Sequence, residues 1–543
     1  MNNYFHFKIQ LVHFHLKLIN FLSVAGILIC MQAKAQLTDH KSAVYNVKNF
    51  QASGNGRELD TDAINNTIRT AWSAGGGTVY FPPGRYLSAS IELKSNITLY
   101  LEAGSVIEAV SDSVAKYDLP EPNQAAGQFQ DYGHSHWKNS LIWGIGLENI
   151  SIIGPGLIHG KGLKSGFNRF ADESKGERKY QDGGPGSGNK AIALKECRNV
   201  VLRDFSILHG GHFGILATGV DNLMIEHLKI DSNRDGMDID ACQNVRINNC
   251  SVNTPWDDGI CLKASYGLGK IRHCDNITIS NCFLSGNFDE GTLLDATFKR
   301  SLPEYRSYKT GRIKLGTESN GDFKNITITN CIFDESRGIA IESVDGGHIE
   351  DIAISNITMR HSSNSPIFIR LGSRLRGPFN PPVGTVKRIS INNLIVYNAG
   401  SQHATTISGI PGHPVEDIRM SNIYINHQGG GKPGDNQLVA KENEKGYPEP
   451  GMFGNLPAYG FFIRHAKSIE MNHIKLDYSG TEHRNAFVLE DVADAYFDHM
   501  IIQKGSKGAG YFDLRGVQEF SLQDSKFIKN QWMKKPNNKK VIK

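Results

Sequence analysis

The sequence predicts a right-handed parallel β-helix, a solenoid of short strands. The first observation is a recurring phrase, Asn or Asp followed by alternating apolar residues, as in Asn199-Val-Val-Leu, Asn222-Leu-Met-Ile and Asn244-Val-Arg-Ile. The second is the spacing of these copies, 23 and 22 residues, which is too long for a hairpin and suits one coil of three short strands. The third is that helical periodicity is almost absent. Period-two alternation is typical of strands, and coils stacked about 4.8 Å apart bury a continuous apolar core.

The first 35 residues are typical of an export signal rather than of a folded domain. Lys8 and Lys17 precede an apolar run at residues 19–31, and Ala33-Lys34-Ala35 fits a small-x-small cleavage site. The apolar run is too short for a comfortable membrane span. We therefore expect cleavage near Ala35, no stable membrane insertion, and a periplasmic or secreted protein. An uncleaved anchor is the alternative.

Residues 36–95 are predicted to form an N-terminal cap and the first coil. Residues 61–74 have the cap and the apolar spacing of a short helix, and a strand follows at residues 78–81. A solenoid needs its first coil covered against end-to-end association, and an amphipathic helix can cover it.

Residues 96–530 are predicted to form the coils of the solenoid. Asn at a coil corner tolerates the left-handed backbone of a sharp bend, and stacked amides can hydrogen-bond along the ladder. Longer intervals in the repeat predict loops at residues 162–189, 286–308 and 428–457. The Lys-rich stretch at residues 531–543 is predicted to be a solvated basic tail.

Composition excludes several other classes of protein. Seven of the eight cysteines follow residue 35, and they recur in repeat contexts such as Asn249-Cys250, Asn281-Cys282 and Asn330-Cys331. This pattern favours stacked, buried thiols over a disulfide framework or a metal cage. The net charge of +4 is small for 543 residues and shows no clustered basic face of a nucleic-acid binder. We expect a monomer that needs no metal or cofactor.

The densest group of acidic residues lies between Asp231 and Lys263. Asp235 and the Asp257-Asp258 pair are one coil apart, because 22 residues separate Asp235 from Asp257. Their carboxylates would converge from neighbouring coils, with side-chain splay opening some of them to the roughly 6.5 to 9.5 Å of an inverting glycosidase. Crowded like charges raise at least one pKa and supply the protonated acid that glycosidic cleavage needs.

Asp residues in repeat proteins also cap turns or bind calcium. We favour that interpretation for Asp238 and Asp240. For Asp235, Asp257 and Asp258 we favour catalysis. Two adjacent acids beside Trp256 at a coil edge repel each other and lower stability, so we expect them to have a function.

At these residues the sequence resembles glycoside hydrolase family 28, the polygalacturonases and rhamnogalacturonases. Asn233-Arg234-Asp235-Gly236 is similar to the family's Asn-Thr-Asp-Gly motif, and Asp257-Asp258 is similar to its paired-Asp motif. The resemblance extends from residue 61 to at least residue 347. It implies a pectin lyase-like β-helix in which Asp257 is the general acid, Asp235 and Asp258 hold the attacking water, and the anomeric centre is inverted without a covalent intermediate.

Two motifs of the family are not matched. Lys309-Thr310-Gly311 stands where the Gly-His-Gly segment should fall, and Ala340-Ile341-Glu342 stands where the Arg-Ile-Lys segment should fall. In polygalacturonases those basic residues hold a galacturonate carboxylate. Glu342 would repel a uronate, but it could accept hydrogen bonds from the hydroxyls of a neutral sugar.

Further substrate contacts are predicted along the same face of the solenoid. Lys263 and Arg370 are favoured because each ends an apolar strand where a polar residue can project into a groove. Trp256 is expected either to stack on a sugar face or to shield the acid. The full set of candidates is Asn233, His212, Trp256, Lys263, Lys314, Glu318, Glu342 and Arg370.

The sequence thus predicts a secreted inverting glycoside hydrolase for pectic or related acidic polysaccharide. We expect exo action because the long loops would wall off one end of an open groove. Alternatives on the same fold are a rhamnogalacturonan-directed or neutral-sugar exo-glycosidase, and a polysaccharide lyase, which would need a calcium site and an Arg or Lys base. A non-catalytic carbohydrate-binding β-helix is the alternative from another class. A sugar epimerase would need a different acid–base set.

Overall fold

The computed structural model describes residues 43–130, 133–167, 180–181, 184–300, 309–506, 508–534 and 539–543. The export signal expected at residues 1–35 lies outside the described residues. Tyr45–Lys543 form one compact unit. None of the helices in the described ranges has the length and apolar character needed to cross a membrane.

Short strands make up most of this unit, with one α-helix near its beginning. The α-helix, α1, spans Thr61–Ser73, and single 3-10 turns span Val47–Phe50, Asp435–Gln437 and Pro450–Phe453. The strands are β1 Val44–Asn46, β2 Asn55–Leu59, β3 Gly77–Phe81, β4 Gly84–Ser88, β5 Ile91–Glu92, β6 Ile97–Leu101, β7 Ser105–Ala109, β8 Ile142–Ile145, β9 Glu148–Ile153, β10 Leu157–His159, β11 Gly166–Phe167, β12 Tyr180–Gln181, β13 Lys190–Lys195, β14 Arg198–Arg203, β15 Ser206–Leu208, β16 Phe213–Thr218, β17 Asp221–Glu226, β18 Lys229–Asp231, β19 Asp235–Asp240, β20 Gln243–Asn248, β21 Ser251–Asn253, β22 Ile260–Ala264, β23 Cys274–Ser280, β24 Phe283–Ser285, β25 Phe288–Glu290, β26 Lys299–Arg300, β27 Ile313–Ser319, β28 Phe323–Asp334, β29 Ile339–Ser343, β30 His348–Arg360, β31 Ile367–Leu371, β32 Thr385–Ala399, β33 Thr405–Ser408, β34 Val415–His427, β35 Ala458–Tyr478, β36 Asn485–Asp498, β37 Ile501–Ile502, β38 Phe512–Arg515, β39 Gln518–Gln523, β40 Gln531–Met533 and β41 Lys539–Ile542.

The strands stack in parallel as three sheets that wind around one core. Sheet I runs through β8, β13, β16, β19, β22, β27, β29, β31 and β33. Sheet II runs through β9, β14, β17, β20, β23 and β28, and sheet III through β10, β15, β18, β21 and β24. Later strands such as β28, β30 and β32 turn the corner and contribute to both sheets II and III. The predicted right-handed parallel β-helix is confirmed.

Side chains alternate between the core and the outer face along each strand. In sheet I, Met237 is the register partner of Ile260, and both are fully buried in the core. The next pair in the register, Asp238 and Cys261, points to the opposite face because the side-chain period of a strand is two. The outer face of sheet I therefore displays the polar residues that the sequence places between apolar ones.

The coil corners are held by left-handed residues, as the Asn pattern predicts. Asn222, Asn244 and Asn276 each have a φ of 56°. The amide of Asn222 donates to the amide oxygen of Asn199 at 2.8 Å, and that of Asn276 donates to Asn244 at 2.7 Å. The predicted corner ladder is therefore confirmed. The seven described cysteines are all free and buried, which confirms the prediction of stacked thiols.

A second ladder at the corner between sheets II and III offers a test of the corner chemistry. The amide of Asn356, whose φ is 56°, donates to Asn330 at 3.0 Å and accepts from Asn393 at 2.8 Å. We expect Asn356→Ala to lower the free energy of unfolding by about 1–3 kcal/mol, because Ala disfavours left-handed backbone and leaves two amides without their partner. Asn356→Gly should cost less, since Gly loses only the hydrogen bonds. Urea unfolding of the two variants checks the order; equal losses would contradict it.

Both ends of the described solenoid are covered. Helix α1 buries Ile64, Ile68 and Ala71 against the first coil, as predicted. At the other end, β40 pairs antiparallel with β39 and β41 pairs antiparallel with β38. The expectation of a solvated tail at residues 531–543 is wrong for the described part of that stretch, because these strands occupy the edges that the last coil would otherwise expose.

Two long segments pack on the outer face of sheet I. Cover 1, residues 110–130 and 133–141, places the fully buried Trp137 beside Phe213, and the indole N–H donates to the hydroxyl of Thr218 at 3.0 Å. Cover 2, residues 428–457, buries Phe453 between Phe368 and Phe462, with ring centroids 6.4 and 6.0 Å apart. The repeat interruption predicts cover 2 but not cover 1.

Candidate active site

Three carboxylates meet on the outer face of sheet I, between the two covers. Asp235 opens β19, and Asp257 and Asp258 lie in the turn just before β22, one coil further on. The backbone N–H of Gly236 donates to the carbonyl of Asp258 at 3.0 Å, and the N–H of Gly311 donates to the carbonyl of Asp257 at 2.9 Å. These bonds hold the turn against its neighbouring coils. One oxygen from each carboxylate lies within 4.8 Å of the other two, so the three converge as their spacing predicts.

The carboxylates are closer together than the sequence led us to expect. Their nearest oxygens lie within 4.8 Å, whereas splay towards the roughly 6.5–9.5 Å of typical inverting enzymes was expected. Splay of that size is not seen at these oxygens, and Arg234 Nη2 bridges two of the carboxylates, at 2.5 Å from Asp257 Oδ2 and 4.0 Å from Asp235 Oδ2.

Asp258 is the most enclosed member of the cluster. Its side chain is 1% exposed, its Oδ1 accepts from Arg312 Nε at 2.6 Å, and its Oδ2 forms an ion pair with Lys314. Burial acts to raise the pKa of Asp258, but the adjacent guanidinium and ammonium outweigh it and hold the pKa below its usual range. Asp258 is therefore an ionised carboxylate at neutral pH.

Asp257 is the most exposed member of the cluster. Its side chain is 26% exposed, and its Oδ2 lies 2.5 Å from Arg234 Nη2. The neighbouring Trp256 is half-buried, and the ammonium of Lys309 lies 3.5 Å from the centroid of its ring. Trp256 and Lys309 thus form a wall beside Asp257.

Asp235 is the member that holds a proton most readily. It is buried, and burial raises its pKa well above the usual value, with further contributions from the negative charges of Asp257 and Asp238. Two carboxyl groups this close cannot both ionise easily. The cluster therefore combines an ionised carboxylate, Asp258, with a carboxyl group of raised pKa, Asp235.

A buried ionic network lies beside the carboxylates. Lys263 Nζ is 3.5 Å from Asp238 Oδ2 and 3.1 Å from Glu318 Oε2. His134 Nε2 of cover 1 is 2.8 Å from Asp238 Oδ2, and Arg376 Nη2 is 3.1 Å from Glu318 Oε1. The predicted contact residues Lys263 and Glu318 thus lie beside the cluster, but their charged groups pair with each other.

Asp238 and Asp240 differ from their sequence interpretation. Both residues are buried within β19 and do not lie in a turn. Neither belongs to the group of acids that, among the described residues, lie close enough together to hold a cation. Asp240 accepts from the backbone N–H and the hydroxyl of Ser265, at 2.8 and 2.5 Å, and so caps the turn after β22. The turn-capping interpretation therefore holds only for the side chain of Asp240.

Glu342 is a fully buried acid on the coil after Lys314. Its Oε2 accepts from the hydroxyl of Thr317 at 3.2 Å, and that hydroxyl is 3.1 Å from the hydroxyl of Tyr447 in cover 2. Its Oε1 has no hydrogen-bond partner among the residues that the structure describes. Burial raises the pKa of Glu342 to about 7, although Arg312 and Lys314 act in the opposite direction. Near neutral pH this group can therefore either donate or accept a hydrogen bond.

The remaining predicted contact residues lie in three different settings. Asn233 is exposed, and its carbonyl accepts from the backbone N–H of Trp256 at 3.2 Å. His212 is buried against Phe213, and burial lowers its pKa well below the usual value. Arg370 is 1% exposed and donates to Ser408 Oγ and to the carbonyl of Gly409, both at 2.8 Å. The expectation that Arg370 projects into an open groove is not met, because cover 2 lies over it.

The carboxylates also form a donor set that could hold a divalent cation. Arg234 contacts Asp257, and Arg312 and Lys314 contact Asp258. The described side chains therefore already place three positive charges on the cluster, which would compete with an ion.

Comparison with known proteins finds similarity to proteins named as pectin-degrading enzymes. Residues 44–282 match the family described as rhamnogalacturonase A/epimerase, pectate lyase-like. A probable polygalacturonase of Vitis vinifera is 24% identical over 390 residues, 69% of this chain and 73% of that protein. The exo-poly-alpha-D-galacturonosidase of Dickeya chrysanthemi is 25% identical over 260 residues, 41% of this chain and 42% of that protein.

The solved structure of the Yersinia enterocolitica family 28 exopolygalacturonase shares the fold. It superposes with a TM-score of 0.61 at 18% identity, over 86% of this chain and 79% of that one. The chain is therefore similar to family 28 proteins in its fold and, at low identity, to polygalacturonases in its sequence.

Sequence reasoning missed several residues of this site. Arg312 and Glu449 are bonded at 2.7 Å, and Arg337 is 3.3 Å from the same carboxylate, so cover 2 is tied to the coil that holds Asp258. A signal for Arg312 was present: Arg312-Ile313-Lys314 is itself an Arg-Ile-Lys triplet, one coil before the position where the family motif was sought. Glu449 and His134 left no such signal, because they come from segments outside the repeat.

Proposed function

We propose that this family 28-like protein is a periplasmic or secreted glycoside hydrolase that releases sugars from the ends of pectic polysaccharide with inversion of configuration. The observation that carries the proposal is the meeting of Asp235, Asp257 and Asp258 within 4.8 Å on the outer face of the solenoid. The polygalacturonase names of the similar proteins support the choice of a pectic substrate.

We propose separate roles for the three carboxyl groups. Asp257 is the most exposed of them and can reach the glycosidic oxygen, so it acts as the general acid. Asp258 is kept ionised by Arg312 and Lys314 and, with Asp235, holds the attacking water.

The cation contacts favour a single displacement over a covalent intermediate. A carboxylate nucleophile must be ionised and free to approach the anomeric carbon. Asp258 is engaged at both oxygens, Asp257 is bonded to Arg234, and Asp235 has a raised pKa. Water is therefore the nucleophile best placed to attack.

The two covers support exo action. Cover 1 reaches Asp238 through His134, and cover 2 reaches Arg312 through Glu449. The cluster thus lies between two segments that both pack on sheet I. A continuous polysaccharide chain running along this face would meet a cover on either side, whereas a chain end could enter between them.

Product analysis tests this proposal. On polygalacturonan and on rhamnogalacturonan oligosaccharides we expect reducing ends to appear with little loss of viscosity, and proton NMR should show the inverted anomer first. Rapid viscosity loss would contradict exo action, and a retained anomer would contradict single displacement. An unsaturated product that absorbs ultraviolet light would instead identify a lyase. Binding without turnover, unchanged in Asp257→Asn, would identify a carbohydrate-binding protein.

A further inference from the structure

A second pocket lies on the same face of the solenoid, at the base of cover 1. It has a volume of about 240 Å³, and its lining includes His136 and Asn139 from cover 1 and Asn189 and Lys190 at the start of β13. We call it the Lys190 pocket. None of these residues belongs to the carboxylate cluster.

Lys190 is a buried amine that has no carboxylate partner among the described residues. Its Nζ donates to the side-chain oxygen of Asn189 at 2.5 Å and to that of Asn139 at 3.3 Å. Lys190 forms no salt bridge with any carboxylate of the described residues, and it is fully buried. Burying an ammonium with only neutral acceptors is costly, so a protein normally supplies an anion.

The electrostatic surroundings of Lys190 allow a bound ligand to change its protonation state. Burial lowers the pKa of Lys190 to about 7, and the more distant carboxylate of Glu121 only partly opposes this. Its positive charge also helps to depress the pKa of the buried His212. The other titratable group of the pocket is His136, whose Nδ1 is 3.0 Å from the carbonyl of Glu121. An anion bound beside Lys190 would raise its pKa and draw a proton from solution.

The register of sheet I connects this pocket with the carboxylate cluster. Lys190 is the partner of Phe213, and Phe213 is the partner of Asp235 on the next coil. Lys190 therefore lies two coil spacings from Asp235, about 9.6 Å along the solenoid. A short oligosaccharide that lies along sheet I can reach both places.

We propose that the Lys190 pocket binds a uronate residue of the substrate, with the ammonium of Lys190 pairing with the sugar carboxylate. The amides of Asn139 and Asn189 offer both donors and acceptors to the sugar hydroxyls once the carboxylate replaces them at Nζ. A buried amine that pairs with none of the described carboxylates, in a pocket of amides two coils from the carboxylate cluster, favours a sugar acid over a neutral sugar. This inference rests on the proposed function and adds its acidic subsite.

Calorimetric binding of digalacturonate tests the pocket, with Asp257→Asn as the background to prevent turnover. We expect Lys190→Met to weaken binding about 10- to 100-fold, the value of a hydrogen bond between charged groups. Digalactose, which has no carboxylate, should bind Lys190→Met and the parent equally. At pH 7.5, binding of digalacturonate should take up a proton in the parent but not in Lys190→Met, measured in buffers of different ionisation enthalpy.

A second variant separates binding from folding. Asn139→Asp supplies Lys190 with a permanent counter-charge, so it should fold with normal near-ultraviolet circular dichroism yet lose digalacturonate binding and proton uptake. Equal affinity of the parent, Lys190→Met and Asn139→Asp for digalacturonate would overturn the pocket proposal and leave the proposed hydrolase untouched. Lys190-dependent binding in a wild-type protein that cleaves no pectic oligosaccharide would support the pocket and overturn the hydrolase.

Discussion

Asp257→Asn is expected to lower kcat on pectic oligosaccharides by about 10²- to 10⁴-fold, the usual contribution of a general acid. Asn keeps the shape of the side chain and can still contact Arg234, but it has no proton to give to the glycosidic oxygen. The loss should depend on the leaving group. An aryl glycoside with an acidic phenol needs no protonation, so we expect Asp257→Asn to cleave it nearly as fast as the parent does.

The other two acids should respond differently to the same pair of substrates. Asp235→Asn and Asp258→Asn remove groups that hold the attacking water, so both should slow the oligosaccharide and the aryl glycoside alike. Asp204→Asn is the matched control: Asp204 is an exposed corner residue whose φ of 72° Asn tolerates, and it should leave kcat unchanged. Equal slowing of both substrates by Asp257→Asn would exclude it as the acid, and activity that survives all three changes would exclude the cluster.

The coil repeat was readable from the sequence because it is local and periodic. Asn222 and Asn244 indicate coil corners, and the alternating apolar residues between them indicate strands whose buried side chains face one core. The same count of 22 residues was enough to bring Asp235 next to Asp257, since register is fixed once the coil length is known. Stacked cysteines followed from the same periodicity.

The surroundings of the carboxylates were not readable in this way. His134 and Glu449 come from covers that break the repeat, and nothing local fixes where such a segment packs. The expectation of a solvated tail was wrong for a related reason. β41 pairs with the edge of β38, and whether that edge is free to pair depends on how all the coils stack. Arg370 shows the converse limit, because strand periodicity correctly placed it on the outer face but could not show that cover 2 buries it.

The partners of Asp258 explain how the site can lack the family's two basic motifs at their usual positions. Arg312 and Lys314 bring two cations to the cluster from the coil before Glu342, and Asp258 and Glu449 then neutralise them. These cations therefore act first on the acid and the cover rather than on a sugar carboxylate. Glu342, with its unbonded Oε1, leaves this end of the site suited to hydroxyl groups.

Arg312→Met is expected to lower the free energy of unfolding by about 3 kcal/mol, because it leaves buried carboxylates without a partner. The value lies at the lower end for a broken buried ion pair, since Lys314 still contacts Asp258 and Arg337 still contacts Glu449. Arg388→Met is the matched control. Arg388 also bonds two carboxylates, Glu350 and Asp351, but on the surface, so its loss should cost less than about 1 kcal/mol.

The pH dependence of this loss distinguishes a charge effect from a packing effect. The depressed pKa of Asp258 means that the group contributes stability above its unfolded pKa and that this stability is lost as the pH falls towards the folded value. Removing Arg312 raises the folded pKa, so the stability difference between Arg312→Met and the parent should be largest at neutral pH and shrink as the pH falls through about 4. Urea unfolding at several pH values measures it. A difference that stays constant from pH 7 to pH 4 would show that Arg312 supports the site by packing alone and that Asp258 does not owe its charge to Arg312.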